Sequence, residues 1–374
     1  MNIQQPTKRL WINAYMLMFI VHTAQTGVGI VGMPRVVFLE SAQDAWISVM
    51  IGSLVAIPFA YVIYYTLKPF GRLDLYAIHD IIYGKWIGKL LNFFYAFYLS
   101  WVFFNIVMNY IEMIQAWVFN LLPTWLMFLL LAALAIYAVQ GGLRVVTGVT
   151  ILSFLLSTWL VFMIAVPIQY IETTQYFPLF NHSFKEMMMA TLKTSYTILG
   201  FEILFFVYPF VDDQKKTMRY VNIALIYTTI QITLVTIVCI GFFSDVSLEK
   251  TIWPVLSMFK IVRLPNLERF EFIAVSFWML VILPNLALYL WAASRGVRHV
   301  FNIPQKYAVW IIVTVGFVAQ YFLDSRLIMN LITDKLATTG MYMSFIYPVI
   351  IFLLVRIHLY RKKGAKPNEK STNN

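Results

Sequence analysis

Long apolar runs separated by short polar clusters are the feature that most constrains the fold of this chain. A helix needs about 20 apolar residues to cross a bilayer, and runs of that length recur throughout the 374 residues. Hydrophobic residues make up 61% of the chain and charged residues 12%, whereas soluble proteins carry about 25% charged residues. The sequence therefore predicts an all-α integral membrane protein, with a single transmembrane domain over residues 1–374. The ten predicted spans are 11–39, 46–67, 90–119, 125–139, 145–170, 187–211, 220–243, 272–293, 307–323 and 336–359.

The basic residues predict the orientation of these spans. The first run follows Lys8 and Arg9, but its polar His22 and Gln25 and the lack of a small-residue cleavage site favour a retained helix over a signal peptide. Most of the 28 Lys and Arg residues fall on the side of the N-terminus. The positive-inside rule then places both termini in the cytoplasm.

Three segments outside the spans carry predictions of their own. The connections 69–89 on the inner side and 244–271 on the outer side contain apolar residues, and we expect short helices at the membrane surface in both. Residues 361–374 are predicted to form a basic, polar cytoplasmic tail against anionic lipid.

Composition also excludes several classes of function. In a chain this apolar, the net charge of +11 reflects basic cytoplasmic loops, so the expected partner is the lipid membrane and not nucleic acid. The single cysteine, Cys239, excludes an intrachain disulfide and a cysteine cluster for zinc. The chain lacks the P-loop, HExxH and GxSxG motifs. We therefore expect no catalytic residues, no metal site and no cofactor.

The first span is interrupted by Gly27, Gly29, Gly32 and Pro34. Glycine costs about 1 kcal/mol and proline about 3 kcal/mol inside a helix, so this stretch is predicted to unwind near the bilayer centre. Unwound backbone is tolerated there only where it faces protein or a water-filled cavity. A face of small residues that packs against a neighbouring helix is the alternative interpretation.

The sixth span carries a second interruption around Gly200, followed by Glu202. Glu202 lies ten residues before Asp212, which corresponds to about 15 Å along a helix and places it near the midplane. A carboxylate at this depth is costly and usually functional. We expect Glu202 to act as a conformational or protonation switch, or alternatively to cap backbone N–H groups that the break sets free.

Two interrupted spans five apart predict an inverted repeat. Repeat one would cover about residues 10–170 and repeat two about 183–360, with a ligand site between the two breaks. The pair is far more specific than either interruption alone.

The residues also resemble a known family. The stretch GVGIVGMPR at 27–35, the GFE at 200–202 followed by FVYPFV at 206–211, and the ten spans are similar to the endospore germination permease family, the B subunits of spore germinant receptors, within the amino acid-polyamine-organocation superfamily. The resemblance covers essentially the whole chain. It implies a LeuT-type fold, an amino acid or similar small germinant as ligand, A and C partner subunits, and location in the inner spore membrane.

In such a fold, the freed N–H groups from Gly29 to Gly32 would bind a ligand carboxylate at the positive end of the second half-helix. Free carbonyls of Gly27, Leu199 and Gly200 would take the ammonium group. The predicted ligand-binding residues are Gly27, Val28, Gly29, Ile30, Gly32, Tyr98, Val102, Asn105, Leu199, Gly200, Phe201, Pro284 and Asn285.

Several polar residues have two interpretations. Asn105 and Asn109 are either hydrogen-bonding links between helices or ligand contacts, and His22 is either a packed, hydrogen-bonded side chain or a proton relay. A sodium site would need hydroxyls in the inner half of span eight, where the one candidate, Ser294, lies at the tip. We therefore expect no sodium coupling.

The sequence leaves two functions open. The first is a ligand-sensing subunit of a germinant receptor that triggers spore germination. The alternative is an amino acid permease, proton-coupled through Glu202. A passive channel would show several polar residues aligned on one face, and an enzyme would show a catalytic constellation; neither is visible in the sequence.

Overall fold

A computed structural model describes residues 6–263, 269–323 and 325–364. The chain is 84% helical, and the extended pairing found within the described residues is an isolated bridge between Ile12 and Val211. Six helical stretches of the described chain are long and apolar enough to cross a membrane; the other spans are shorter or divided. The helices are α1 (Met16–Gln25), α2 (Gly29–Ser41), α3 (Ala45–Leu54), α4 (Ala56–Leu67), α5 (Leu75–Trp117), α6 (Thr124–Gln140), α7 (Leu143–Ser157), α8 (Trp159–Phe162), α9 (Ala165–Ile168), α10 (Phe184–Thr197), α11 (Leu204–Val207), α12 (Thr217–Phe242), α13 (Asp245–Lys250), α14 (Pro254–Met258), α15 (Phe270–Phe301), α16 (Gln305–Phe322), α17 (Arg326–Met341) and α18 (Tyr347–Gly364).

These helices make ten transmembrane spans, of which the first and sixth are broken as predicted. Helices α1 and α2 form span one. Span six consists of α10 and the apolar helical segment Phe201–Phe210, which contains α11. The break in span one is shorter than expected because the chain is helical again from Gly29, with Pro34 inside α2. The first half of the chain therefore contributes spans one to five and the second half spans six to ten.

The last span begins at Arg326, well before the predicted start at residue 336. Polar residues in this first part lowered its hydropathy in the sequence. The helix starts there because the Ser325 hydroxyl accepts a hydrogen bond from the Ile328 N–H at 3.2 Å, which caps the first turn. Arg326 also pairs with Glu112 of α5 at 3.1 Å.

The connection 69–89 forms a helix, but its apolar face does not lie on the membrane surface. This helix is the first part of α5, before a kink at Gly84 with φ of 79°. Leu75 and Ile78 are fully buried in the protein, and the Tyr76 hydroxyl donates to the Ala292 carbonyl at 3.0 Å. The prediction of a surface helix was therefore wrong on location, since the sequence cannot distinguish a lipid face from a protein face.

The outer connection contains α13 and α14, whose Leu248, Leu256 and Met258 are fully buried. They pack against α2 and α12. Beyond residue 364, the predicted basic tail lies outside the described residues.

The two halves of the chain interlock at the centre of the molecule. Helix α1 packs against α12 and α7, α2 packs against α10, and α10 packs against α3. The long helices α15 and α5 run against each other. Large apolar side chains such as Phe94, Leu155 and Ile230 are exposed on the outer surface of the bundle, as expected for helices in contact with lipid.

One group of residues ties the N-terminal segment to the end of span six. The Arg72 guanidinium donates to the backbone oxygens of Pro209 at 2.9 Å, Val211 at 3.0 Å and Asp212 at 3.2 Å. It also stacks on Trp11, with 3.5 Å from Cζ to the ring centroid. We call Trp11, Arg72 and residues 209–212 the Arg72 lock.

Candidate functional site

The two helix breaks cross in direct contact. Helix α1 ends at Gln25, and Thr26 is extended. The second break spans residues 198–200. Gly200 has a φ of 126°, and a Cβ atom added there would lie 2.2 Å from the Ala24 carbonyl oxygen. Glycine is therefore required at this position both by its backbone conformation and by the close approach of the first break.

Four helix ends meet at this crossing. The C-termini of α1 and α10 carry partial negative charge, and the N-termini of α2 and Phe201–Phe210 carry partial positive charge. The crossing thus offers charge of both signs from backbone alone.

Glu202 lies at one of the two positive ends. It is 0% exposed, and its Oε2 accepts from the Gly200 N–H at 2.8 Å. Its Oε1 accepts from the Tyr98 hydroxyl of α5 at 3.2 Å. These contacts are those of a cap on freed backbone N–H groups, and a switch role for Glu202 stays a prediction.

The other positive end, at α2, is not capped in this way. Helix α2, whose residues the structure describes throughout, has no acidic residue in its first turn and no side-chain cap from Val28. A Cβ at Gly29 would lie 3.3 Å from Thr197 of α10, and one at Gly32 would lie 3.1 Å from the Ile252 carbonyl oxygen. Gly29 therefore faces the second broken span, whereas Gly32 packs under the outer connection.

Two buried amide side chains hold the broken segments. Gln25 Nε2 donates to the Ile198 carbonyl at 2.9 Å, which joins the two breaks. Asn285 Nδ2 donates to the Thr26 carbonyl at 2.6 Å, which joins α15 to the first break. Sequence reasoning included Asn285 but missed Gln25, although a buried amide directly before the glycine-rich stretch is a usable signal.

The carbonyls around the second break are less free than expected. The Gly200 carbonyl accepts from the Ile203 N–H at 3.1 Å. Leu199 packs against α17, since a Cβ at Gly340 would lie 2.4 Å from its Cδ1. Phe201 is buried and stacks edge-on against Phe345 at 5.4 Å.

The polar residues of span three form a link between helices. The Thr333 hydroxyl of α17 donates to Asn105 Oδ1 at 2.8 Å, and Asn109 Nδ2 donates to the Asn105 carbonyl at 2.8 Å. Val102 is partly buried against the core. Asn105 thus has a protein partner, and its role as a ligand contact stays a prediction.

A small cavity of about 60 Å³ lies beside α1, between α7, α12 and α15. His22 lines it and shares a hydrogen bond with the Thr228 hydroxyl at 2.8 Å. Its ring also stacks edge-on against Phe154 and Tyr227. Of the predicted ligand-binding residues, Ile30 and Pro284 line this cavity, together with Thr26 of the first break.

The chain matches known sequences over most of its length. Residues 11–327 match the family described as Spore germination protein. The chain belongs to this family. Spore germination protein GerQB of Bacillus cereus is 34% identical over 343 residues, which cover 92% of this chain and 95% of that protein. Spore germination protein A2 of Bacillus subtilis (strain 168) is 22% identical over 362 residues, which cover 95% and 98%.

Solved structures confirm the LeuT-type fold of this family member. The crystal structure of MhsT in complex with L-phenylalanine has a TM-score of 0.66 at 14% identity and covers 95% of this chain and 90% of that chain. A substrate-bound, outward-open Na⁺-coupled sialic acid symporter has a TM-score of 0.64 at 12% identity and covers 89% and 77%. At these identities the likeness shows the fold alone. The protein is thus a multi-pass membrane protein, and its relatives and fold neighbours are germination proteins and transporters, not enzymes.

Proposed function

We propose that the chain is the ligand-sensing membrane subunit of a spore germinant receptor. It binds an amino acid or similar small germinant at the crossing of the two breaks and triggers germination. It works with A and C subunits in the inner spore membrane, with both termini in the cytoplasm, and its two repeats cover about residues 10–170 and 183–360. Membership of the spore germination protein family and the 34% identity to GerQB support this proposal.

The observation that supports ligand binding is that only one of the two positive helix ends has an acidic side chain against it. Glu202 caps the end at Gly200, whereas the start of α2 has neither an acidic residue in its first turn nor a side-chain cap. An anion at a helix N-terminus is stabilised by about 0.3–1 kcal/mol, and by more where the site is buried. We propose that the carboxylate of the germinant binds the N–H groups at Gly29, on the side that faces Thr197.

A second candidate function is an amino acid permease. The fold similarity to MhsT in complex with L-phenylalanine favours it, because that complex shows that this fold holds an amino acid. Both functions need the same binding step. They differ in whether the bound molecule crosses the membrane, with Glu202 as the proton carrier in the coupled form.

Binding by the purified chain in lipid nanodiscs tests the shared step. The standard amino acids are screened for an increase in thermal stability, since a ligand that binds only the folded state stabilises it. Gly29→Leu should abolish the increase, because a Cβ there already lies 3.3 Å from Thr197. Gly148→Leu is the matched control, since nothing lies within 4 Å of a Cβ at Gly148. An equal response in both variants would refute binding at Gly29.

Transport measurements separate the two functions. Uptake of the bound amino acid into liposomes that contain the chain alone would establish the permease. Binding without uptake, together with loss of germination in spores that lack the gene, would establish the receptor subunit.

A further inference from the structure

The proposed function assigns no role to the side-chain oxygens of Gln25 and Asn285 at the crossing. Gln25 is 3% exposed and Asn285 is 1% exposed. Gln25 Oε1 and Asn285 Oδ1 both lack a hydrogen-bond partner among the described residues. A buried acceptor without a donor costs about 1–3 kcal/mol, so two at one crossing need an explanation.

Chemistry fixes which end of each amide is the oxygen. A backbone carbonyl can only accept a hydrogen bond, so the Ile198 and Thr26 carbonyls must face NH₂ groups. The nitrogens of Gln25 and Asn285 therefore occupy these contacts at 2.9 Å and 2.6 Å. Exchange of oxygen and nitrogen would set two acceptors against each other, so the oxygens remain as acceptors beside the breaks.

The surroundings of these oxygens favour a cation. Gln25 is the last residue of α1, and Ile198 is the C-cap of α10, so both negative helix ends converge on the Gln25 amide. Helix α10 has no basic residue in its last turn, and α1 has only His22 there. His22 is buried and shares its hydrogen bond with Thr228 of α12. A positive charge at the crossing is thus favoured by two helix ends, and the last turns of these two described helices contain no Lys or Arg.

Gly27 leaves space beside the Asn285 amide. A Cβ added to Gly27 would lie 3.9 Å from Asn285 Nδ2, so Gly27 brings no side chain between the Asn285 amide and the first break. Glu202, the nearby acid, is already bound to Gly200 and Tyr98.

We propose that Gln25 Oε1 and Asn285 Oδ1 bind the protonated amino group of the ligand. This inference rests on the proposed function and adds that the germinant must carry an amine with at least two N–H donors. The amide nitrogens hold the breaks in place and the amide oxygens select the ligand, so one pair of side chains does both. Deaminated acids of the same shape leave both oxygens without donors and bind more weakly.

The experiment compares amino acids with their deaminated partners by calorimetry on the purified chain in nanodiscs. The probes are L-alanine against propionate, L-valine against isovalerate and L-phenylalanine against hydrocinnamate. A hydrogen bond to a charged group is worth about tenfold or more in affinity. We expect the wild-type chain to prefer the amine-bearing member of a pair by about 100-fold, and this measurement needs no variant.

Variants assign the preference to the two residues. Gln25→Leu and Asn285→Leu should each reduce the preference for the amine by about tenfold. Asn222→Leu is the matched control, because Asn222 also donates to a neighbour, Tyr61 at 2.9 Å, and also leaves its Oδ1 without a partner among the described residues, but it lies outside the crossing.

Each outcome decides a different point. Equal affinity for an amino acid and its deaminated partner, or an unchanged preference in both variants, would overturn the inference and leave the proposed function intact. Failure of the wild-type chain to bind any standard amino acid would overturn the proposed amino acid binding at the crossing, on which the inference rests. A loss of preference in Asn222→Leu equal to that in Asn285→Leu would also refute the assignment.

Discussion

Removal of the Arg72 side chain should loosen the contact between the N-terminal segment and the end of span six. Arg72 donates to three backbone oxygens of residues 209–212. Two of these contacts are partly buried and one is exposed, so we assign about 1 kcal/mol to each and not the 1.5–3 kcal/mol of a buried charged donor. The stack on Trp11 adds about 0.5 kcal/mol.

The total of about 3.5 kcal/mol stabilises the closed arrangement, in which Arg72 joins Trp11 to residues 209–212. Each 1.4 kcal/mol changes an equilibrium tenfold, so Arg72→Ala should shift the population toward the open arrangement by about 300-fold. Arg72→Lys keeps the charge but cannot reach three carbonyls with one ammonium group. It should give an intermediate shift.

Cysteine labelling measures this shift. Ala14 is 4% exposed and its N–H donates to Asp212 Oδ1 at 2.9 Å, so a cysteine at this position is protected while the lock is closed. The native Cys239 is 0% exposed and should not react. The rate at which Ala14→Cys reacts with a charged maleimide should rise by about 300-fold in the Arg72→Ala background.

A matched control uses Arg144, which makes a single exposed contact, from Nε to the Trp11 carbonyl at 2.9 Å. Arg144→Ala should raise the rate by less than about threefold. A rate in Arg72→Ala within about twofold of that in the parent would show that the lock does not hold the closed arrangement.

Four further outcomes follow from the structure. Gly200→Ala should destabilise the protein by several kcal/mol in thermal unfolding, because its Cβ would lie 2.2 Å from the Ala24 carbonyl oxygen. Gly84→Ala, with φ of 79° and ψ of 170° but open space around it, should cost only the backbone strain of about 1–3 kcal/mol; equal costs would contradict the close approach of the two breaks. Glu202→Gln should alter the germination response between about pH 5 and 9 more than Glu112→Gln does, because only Glu202 lies at the breaks. Glu112 lies near the outer end of span three and pairs with Arg326. A wild-type response of Glu202→Gln would show that Glu202 is only a structural cap. Thr333→Val should reduce stability by only about 0.6 kcal/mol, the average for a hydrogen bond between membrane helices. A loss above about 2 kcal/mol would refute this estimate of the contribution of the hydrogen bond. Deletion of the partner genes should lower the abundance of the chain in spore membranes, as measured by immunoblot, because bound partners stabilise it; full abundance would favour the permease.

The sequence was sufficient to predict the fold because span length and glycine content are local properties. Each apolar run had to be a helix, and Gly27 and Gly200 marked two positions at which a continuous helix is unfavourable. The family resemblance then gave the arrangement of the ten spans, and the comparisons confirm it.

The details of the crossing could not be predicted because they depend on residues far apart in the chain. Gln25 gains its role from the Ile198 carbonyl, and Asn105 gains its partner from Thr333. Hydropathy indicates whether a residue prefers an apolar environment to water, but it does not indicate which distant residue will contact it in the folded chain.

The ties at the crossing also set the order in which the molecule can be completed. Gln25 and Ile198 are 173 residues apart in the chain, and Thr26 and Asn285 are 259 residues apart. During synthesis, the interrupted first span therefore enters the bilayer long before either partner has been made. Its open backbone must meanwhile be sheltered by water or by the insertion machinery, since lipid offers no hydrogen bonds. The hydrogen bonds at the centre of the protein are thus complete only after span eight has been inserted. A chain that is truncated earlier has unpaired backbone groups in its core and is a natural target for proteolysis.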